Sequence, residues 1–428
     1  MAICLLAALA GPVDAKTLED ILMEKGVITE EDYRQVNEKK MVSYKPAEGF
    51  TFISPDGRFK GAIGGMLQIR YTLLDADDAD NTPSKQAEDF SKFELRRIKA
   101  YFNGYAFTEA LTYKLQLNFA NLQGGTTMNG GILEESYLNY RLRDAVQFRF
   151  GQDKVPFGRQ FITSTALLQF PDLSVVTTAF VPGYDIGLML HGKLGDGLFN
   201  YRIGGYGGVG QNTFRSTRDN AFVVRLTLDP LGEVKYSESD VEQSVEPLVS
   251  LGANYFRDTL NGGSSFGRES NALYFGKNTG WFAIGSQIMP TGVRFSAGEP
   301  IDFNIVGVDG VFKWHGFSLQ AEYFFAQGEG QLTGTVLRGQ GWYVQGGFFL
   351  IPSHLEASGR FSYLDPNRAV GNDHWVEASG GLSWYFEKHN LKLQSDYTAI
   401  HKQRAVAFNR GPFATDDHQI RIQAQLLF

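Results

Sequence analysis

The chain has 428 residues, 14% of them aromatic, with 49 glycines against 14 prolines, a mixture that suits strands and tight turns better than helices. A formal net charge of -7 argues against a general nucleic-acid binder. The single cysteine, Cys4, leaves no material for a disulfide framework or a Cys-ligated zinc site. Mean hydropathy is -0.21 and no internal run approaches the roughly 18 apolar residues of a membrane helix, a test that a β-barrel escapes because only alternate residues face lipid.

In chain order, MAICLLAALAGPVDAK opens the sequence. Its apolar run and the small residues Val13 and Ala15 around Asp14 have the form of a secretory signal, expected over residues 1–15. Residues 16–48 are expected to be a short helical periplasmic segment. Within it TLEDILMEKGVITEEDYRQVNEKK breaks at Gly26, and Thr29 with Asp32 has the spacing of a capping box.

From residue 49 to 428 the pattern switches to period two. It predicts sixteen strands, beginning near residues 57, 92, 110, 132, 146, 184, 198, 219, 246, 302, 317, 340, 355, 374, 390 and 417. Short links such as Arg143–Ala145, Gly195–Gly197 and His315–Gly316 alternate with long ones such as 155–183 and 259–301; residues 230–245 are the one long segment on the short side. An even strand number with short turns at one end and long loops at the other is the layout of a bacterial outer-membrane barrel. The expected fold is therefore all-β, a 16-stranded antiparallel transmembrane β-barrel with a short N-terminal helical segment, both termini lying in the periplasm.

Outward faces agree with that reading. Leu111, Tyr113, Leu115, Leu117 and Phe119 share one face, Lys114, Gln116 and Asn118 the other. In the closing stretch QIRIQAQLLF, Ile420, Ile422, Ala424, Leu426 and Phe428 are expected to face lipid, and Gln419, Arg421, Gln423 and Gln425 the lumen.

Placing each apolar set on lipid leaves Arg97, Lys99, Lys114, Arg141, Arg149, Arg202, Arg225 and Lys313 facing inward, with Glu135, Asp153, Asp309 and Glu322 among the inward acids. A basic wall in a narrow pore concentrates anions; the same residues read as ion pairs give a mixed-charge lumen of weak selectivity. Segment 155–183, VPFGRQFITSTALLQFPDLSVVTTAFVPG, is too apolar for an exposed loop. It is expected to fold into the barrel and bring Lys154 or Arg159 to the constriction.

The stretches FISPDGRFKGAIGGMLQIRY, FELRRIKAYFNGYAF and SYLNYRLRDAVQFRFGQDKVPFG, together with the closing strand, resemble the phosphate-selective porin O/P family. The resemblance implies a passive channel, usually trimeric, in which an infolded third loop and lumenal Arg and Lys guide small anions, phosphate among them. Family members commonly carry an arginine within the third loop and another just before the next strand; here Phe170-Pro171-Asp172 and Gly183-Tyr184-Asp185 stand instead, so phosphate specificity does not follow.

The implied partners are small anions, outer-membrane lipid and lipopolysaccharide, and two further copies of the chain; no cofactor, nucleic acid or enzymatic role is implied. Rival readings are a general or sugar-permeable porin, with Tyr101, Tyr137, Phe324, Tyr343, Phe349 and Tyr385 as an aromatic slide, and a barrel sleeve around an electron-carrier protein. His191 is the one histidine that could face the lumen near Ser and Asp. The acidic run Asp75–Asp80 reads as a solvated loop rather than a calcium site.

Overall fold

In the computed structural model the period-two segments form antiparallel strands joined into one sheet. The structure describes residues 22–23, 25–29, 31, 42–45, 49–77, 89–120, 131–208, 210–213, 218–261, 299–404 and 413–428. The expected signal segment, most of the helical segment and Asp78–Asp80 lie outside the described residues.

Strands β1 (Val42–Lys45) and β2 (Gly49–Ile53) form a hairpin. The region up to residue 48 is thus not helical throughout: Val42 and Tyr44 pair across to Phe52 and Phe50, β-branched and aromatic residues that suit a pleated surface. Sixteen strands follow: β3 (Phe59–Asp75), β4 (Phe90–Ala106), β5 (Thr108–Asn118), β6 (Leu133–Arg143), β7 (Val146–Lys154), β8 (Tyr184–Leu194), β9 (Phe199–Tyr206), β10 (Ala221–Leu228), β11 (Leu248–Asn261), β12 (Pro300–Trp314), β13 (Phe317–Gly330), β14 (Val336–Ile351), β15 (Leu355–Asp365), β16 (Trp375–Glu387), β17 (Leu391–Arg404) and β18 (Phe413–Leu427). The widest gaps between expected and observed starts are at β14, 340 against 336, and β18, 417 against 413.

Each strand pairs with the next, and β18 returns to β3 with Gln425 opposite Gln68 and Gln419 opposite Leu74. Closure removes the free edges that an open sheet would expose. The lower part of β3 pairs instead with β2, Ile63 opposite Phe50. Between the two pairings Phe428 and Gly65 exchange backbone hydrogen bonds of 2.7 and 3.1 Å, and a Cβ on Gly65 would lie 2.6 Å from the Phe428 ring, so a larger residue here would displace that ring.

The short turns need left-handed backbone, as primed hairpin turns do. His315 and Gly316 both have positive φ, 47° and 80°, between β12 and β13. Alternation then sorts the side chains: Ile420, Ile422 and Leu426 are exposed on the outer face, whereas Arg421, Gln423 and Gln425 are buried inside. Trp314 and Trp384 are exposed near strand ends, the positions of an aromatic girdle, while Tyr323 and Trp342 are exposed opposite each other in mid-strand.

The apolar core lies within the ring. Phe157, Val176 and Phe180 of segment 155–183 pack on Phe256, Phe303, Phe324, Tyr343 and Leu364 of the β11–β15 wall. No helix among the described residues is long and apolar enough to cross a membrane.

Candidate functional site

The infolded segment is built to stay in. At Gly158 the backbone takes φ 73°, a conformation that favours glycine, and turns the chain into helix α1 (Arg159–Ile162). The Glu322 carboxylate on β13 accepts the backbone N–H groups of Arg159 and Gln160 at 2.7 and 2.6 Å, donors that a helix start leaves without partners. Lys154 Nζ donates to the carbonyls of Phe161 and Thr163 at 2.6 and 2.9 Å. Ser174 caps helix α2 (Val175–Phe180) by accepting from the Thr177 N–H, and the Phe180 ring stacks on Phe324 at 5.9 Å.

A second infolded piece comes from the short-turn side. Residues 229–247 between β10 and β11, the long exception in the turn pattern, bury Val234, Glu238, Ser239, Asp240 and Val241. The Glu238 carboxylate accepts from the Gln169 N–H at 2.6 Å and Gln160 Nε2 at 2.9 Å, which locks the two infolded pieces together. Lys313 Nζ donates to Ser237 Oγ and the Ser239 carbonyl at 2.7 and 3.0 Å.

Together these pieces pack on the β11–β18 wall, and a cavity, termed the shaft, lies against β4–β9. This cavity of about 280 Å³ is lined by Lys99, Lys114, Arg149, Lys154 and Arg202, by the acids Glu135 and Asp153, and by Tyr101, Tyr137, Tyr184 and Tyr236. Lys99 pairs with Glu134 at 2.6 Å, Lys114 with Glu135 at 2.6 Å, and Arg149 with Asp153. Lys154 and Arg202 make no ion pair among the described residues; Lys154 meets carbonyls and lies 5.0 and 5.9 Å from the Phe161 and Tyr184 ring centres, and the Arg202 guanidinium lies 5.1 Å from the Tyr236 ring centre. Arg159 and Arg225 also face that ring, at 4.6 and 6.0 Å. Burial would raise the Tyr236 hydroxyl, but Arg225, Arg202 and Arg159 outweigh it and bring its pKa down to about 7.

The remaining residues expected on the path sit elsewhere. Arg225 makes a two-pronged pair with Asp309 at 2.7 and 2.9 Å, fully buried. Arg159 is sealed beneath the infolded segment, donating to Ser250 Oγ and the Lys235 carbonyl at 3.1 Å each. Lys313 is buried against 229–247, and Arg141 lies at the short-turn rim, 3.6 Å from Asp144. Arg97 belongs to a separate cluster around Asp172, 3.3 Å from its carboxylate.

Glu134 and Arg96 escaped the period-two reading, which allows only one of two neighbouring residues inside. A bulge sets Gln116 opposite Glu135 and Leu117 opposite Leu133, leaving Glu134 extra, and another sets Gln68 opposite Arg97 and Ile69 opposite Leu95, leaving Arg96 extra. The visible signal was the adjacent pairs Glu134-Glu135 and Arg96-Arg97: a doubled charge in a membrane strand calls for a bulge.

The aromatic slide does not form. Phe324 is under the infolded segment, Tyr343 donates to Glu322 at 2.7 Å, and Tyr385 donates to Glu356 at 2.6 Å. Of the expected set only Tyr101 and Tyr137 line the shaft. His191 Nε2 is 2.7 Å from Asn139 Oδ1, with no nucleophile in that contact.

Residues 63–428 match the phosphate-selective porin O and P family. The chain belongs to that family. The porin family and the closed barrel support an outer-membrane channel. Among solved structures, the chain is similar to an anion-selective porin from Comamonas acidovorans (9% identity, TM-score 0.55, covering 86% of this chain and 99% of that one). It is also similar to the outer-membrane channel DcaP of Acinetobacter baumannii (13%, 0.54, 88% and 99%) and to OmpT of Vibrio cholerae (11%, 0.52, 88% and 100%). An uncharacterized protein of Aquifex aeolicus is 23% identical over 267 residues, 56% of this chain and 60% of that protein's length. At these identities the porin structures share the fold alone.

Proposed function

We propose that this porin passes small anions in preference to cations through the shaft beside the infolded segment, with inorganic phosphate among its guests. The observation that carries the reading is the charge of the shaft: five cationic side chains, Lys99, Lys114, Arg149, Lys154 and Arg202, line it with two carboxylates, Glu135 and Asp153. Neither Lys154 nor Arg202 pairs with a carboxylate among the described residues. In a narrow, partly desolvated passage such groups replace part of an anion's hydration shell, and several moderate sites in series let it enter and leave. Guanidinium matches phosphate oxygens two at a time.

The anion-selective Comamonas porin supports the reading by likeness of fold, and the family description supports phosphate. The ion pairs of Lys99, Lys114 and Arg149 temper the field, so selectivity is expected to be graded rather than absolute. The interior filled by 155–183 and 229–247 disfavours a sleeve around another protein. A homotrimer is proposed on family grounds, and cross-linking in mild detergent checks it.

Phosphate is tested by titrating it against single-channel chloride current. Block in the parent, weakened in Lys154→Gln and in Arg202→Gln, is expected; chloride current indifferent to phosphate in all three would keep the anion channel and discard phosphate as its guest.

A further inference from the structure

Asp172, in the third loop that in the resembled family commonly carries an arginine, lies at the centre of a guanidinium cage. Asp172 Oδ2 is 2.5 Å from Arg70 Nη1 and 3.9 Å from Arg421 Nη1, and Oδ1 is 3.1 Å from Arg96 and 3.3 Å from Arg97. The backbone is gripped as well: Arg360 Nη1 donates to the Asp172 carbonyl at 2.9 Å and Arg70 Nη2 to the Pro171 carbonyl at 2.7 Å. These arginines come from β3, β4, β15 and β18, so the barrel wall builds the cage and the loop supplies its occupant.

Other carboxylates account for part of the charge. Arg421 is paired with Asp396, and Arg70 lies 3.8 Å from Glu94. Arg96 and Arg97 have no ion pair besides Asp172 among the described residues. Solvent reaches the cluster, the side chains of Asp172 and Arg96 being 22% and 38% exposed.

We propose that Asp172 is a resident counter-anion: its carboxylate occupies an oxyanion site formed by Arg70, Arg96, Arg97 and Arg421, and so keeps solute anions out of that site and in the shaft. Two carboxylate oxygens accepting from Arg70, Arg96 and Arg97, with the Arg421 charge 3.9 Å away, stand where a phosphate, sulfate or carboxylate ligand would be bound. The acid in the third loop thereby fastens the loop to the barrel wall. The consequence for transport rests on the anion-channel reading above; the cage itself does not.

The test removes the occupant and offers a replacement. Asp172→Ala and the near-isosteric Asp172→Asn are purified as folded barrels in detergent, and thermal unfolding is followed with acetate, sulfate or inorganic phosphate at constant ionic strength. The variants are expected to unfold earlier than the parent and to recover with added oxyanion, while the parent does not respond. On single channels phosphate block is expected to tighten about tenfold, roughly the worth of one added charge-assisted contact. Adding Arg96→Gln and Arg97→Gln to Asp172→Asn is expected to abolish both effects. No oxyanion response in either single variant, or an equal response after the arginines are removed, overturns the proposal. Oxyanion recovery in a barrel whose parent prefers cations would instead uphold the cage and reject the anion-channel reading.

Discussion

A charged side chain inside this barrel is defined by what it meets. Arg225 and Asp309 neutralise each other out of solvent, a role in stability. Removing one partner of such a pair leaves a buried charge and costs about 3–5 kcal/mol, so Asp309→Ala is expected to lower the unfolding free energy by that order in denaturant titrations of the micelle-bound barrel. A loss near zero would mean the guanidinium finds other compensation. Tyr236 adds a pH dependence. Its hydroxyl has a pKa of about 7 in the folded protein against an ordinary 10, so folding favours the phenolate: this contribution to stability is lost as pH falls through about 7 and grows as pH rises towards 10. The phenolate also offsets part of the charge beside the shaft, so anion preference is expected to weaken above pH 7 more in the parent than in Tyr236→Phe. Reversal potentials measured between pH 6 and about 9 check this, and a parent that changes no more than the variant would contradict it.

At the scale of elements, the two infolded segments set the bore. Segment 155–183 is held in part by Glu322, which takes the N–H groups of Arg159 and Gln160 and the Tyr343 hydroxyl. Glu322→Ala is expected to destabilise the protein by about 1–3 kcal/mol for each donor left buried without a partner, and to raise single-channel conductance and its noise as the segment loosens. Unchanged conductance with unchanged stability would show that the apolar contacts of Phe157 and Phe180 suffice. That this loop folds inward was legible, because a stretch as apolar as VVTTAF cannot remain in water. That 229–247 also enters was not: LGEVKYSESDVEQSVEP is as polar as a solvated turn, and its buried polar groups are satisfied from inside, Glu238 by Gln160 and Gln169 and Ser237 by Lys313. Polar burial by mutual satisfaction leaves no period or apolar run to read.

For the whole molecule, strand number and order were legible because membrane and lumen impose a strict alternation on every strand and the two ends of the barrel impose different loop lengths. Lys99, Lys114, Arg149 and Arg202 came together as expected because that alternation decided their side, with Lys154 beside them at the start of the infolded segment. It could not tell which inward cations line a passage and which, like Arg159 and Lys313, are covered by the infolded segments, because that depends on contacts between residues far apart in the chain. Charge on the open side of the lumen is the central claim, and the reversal potential across a planar bilayer in a KCl gradient tests it most directly. The parent is expected to show a potential of the sign set by chloride, shifted towards the potassium value in Lys114→Glu with Arg149→Glu. Cation selectivity in the parent, or no shift in the double variant, would contradict the account.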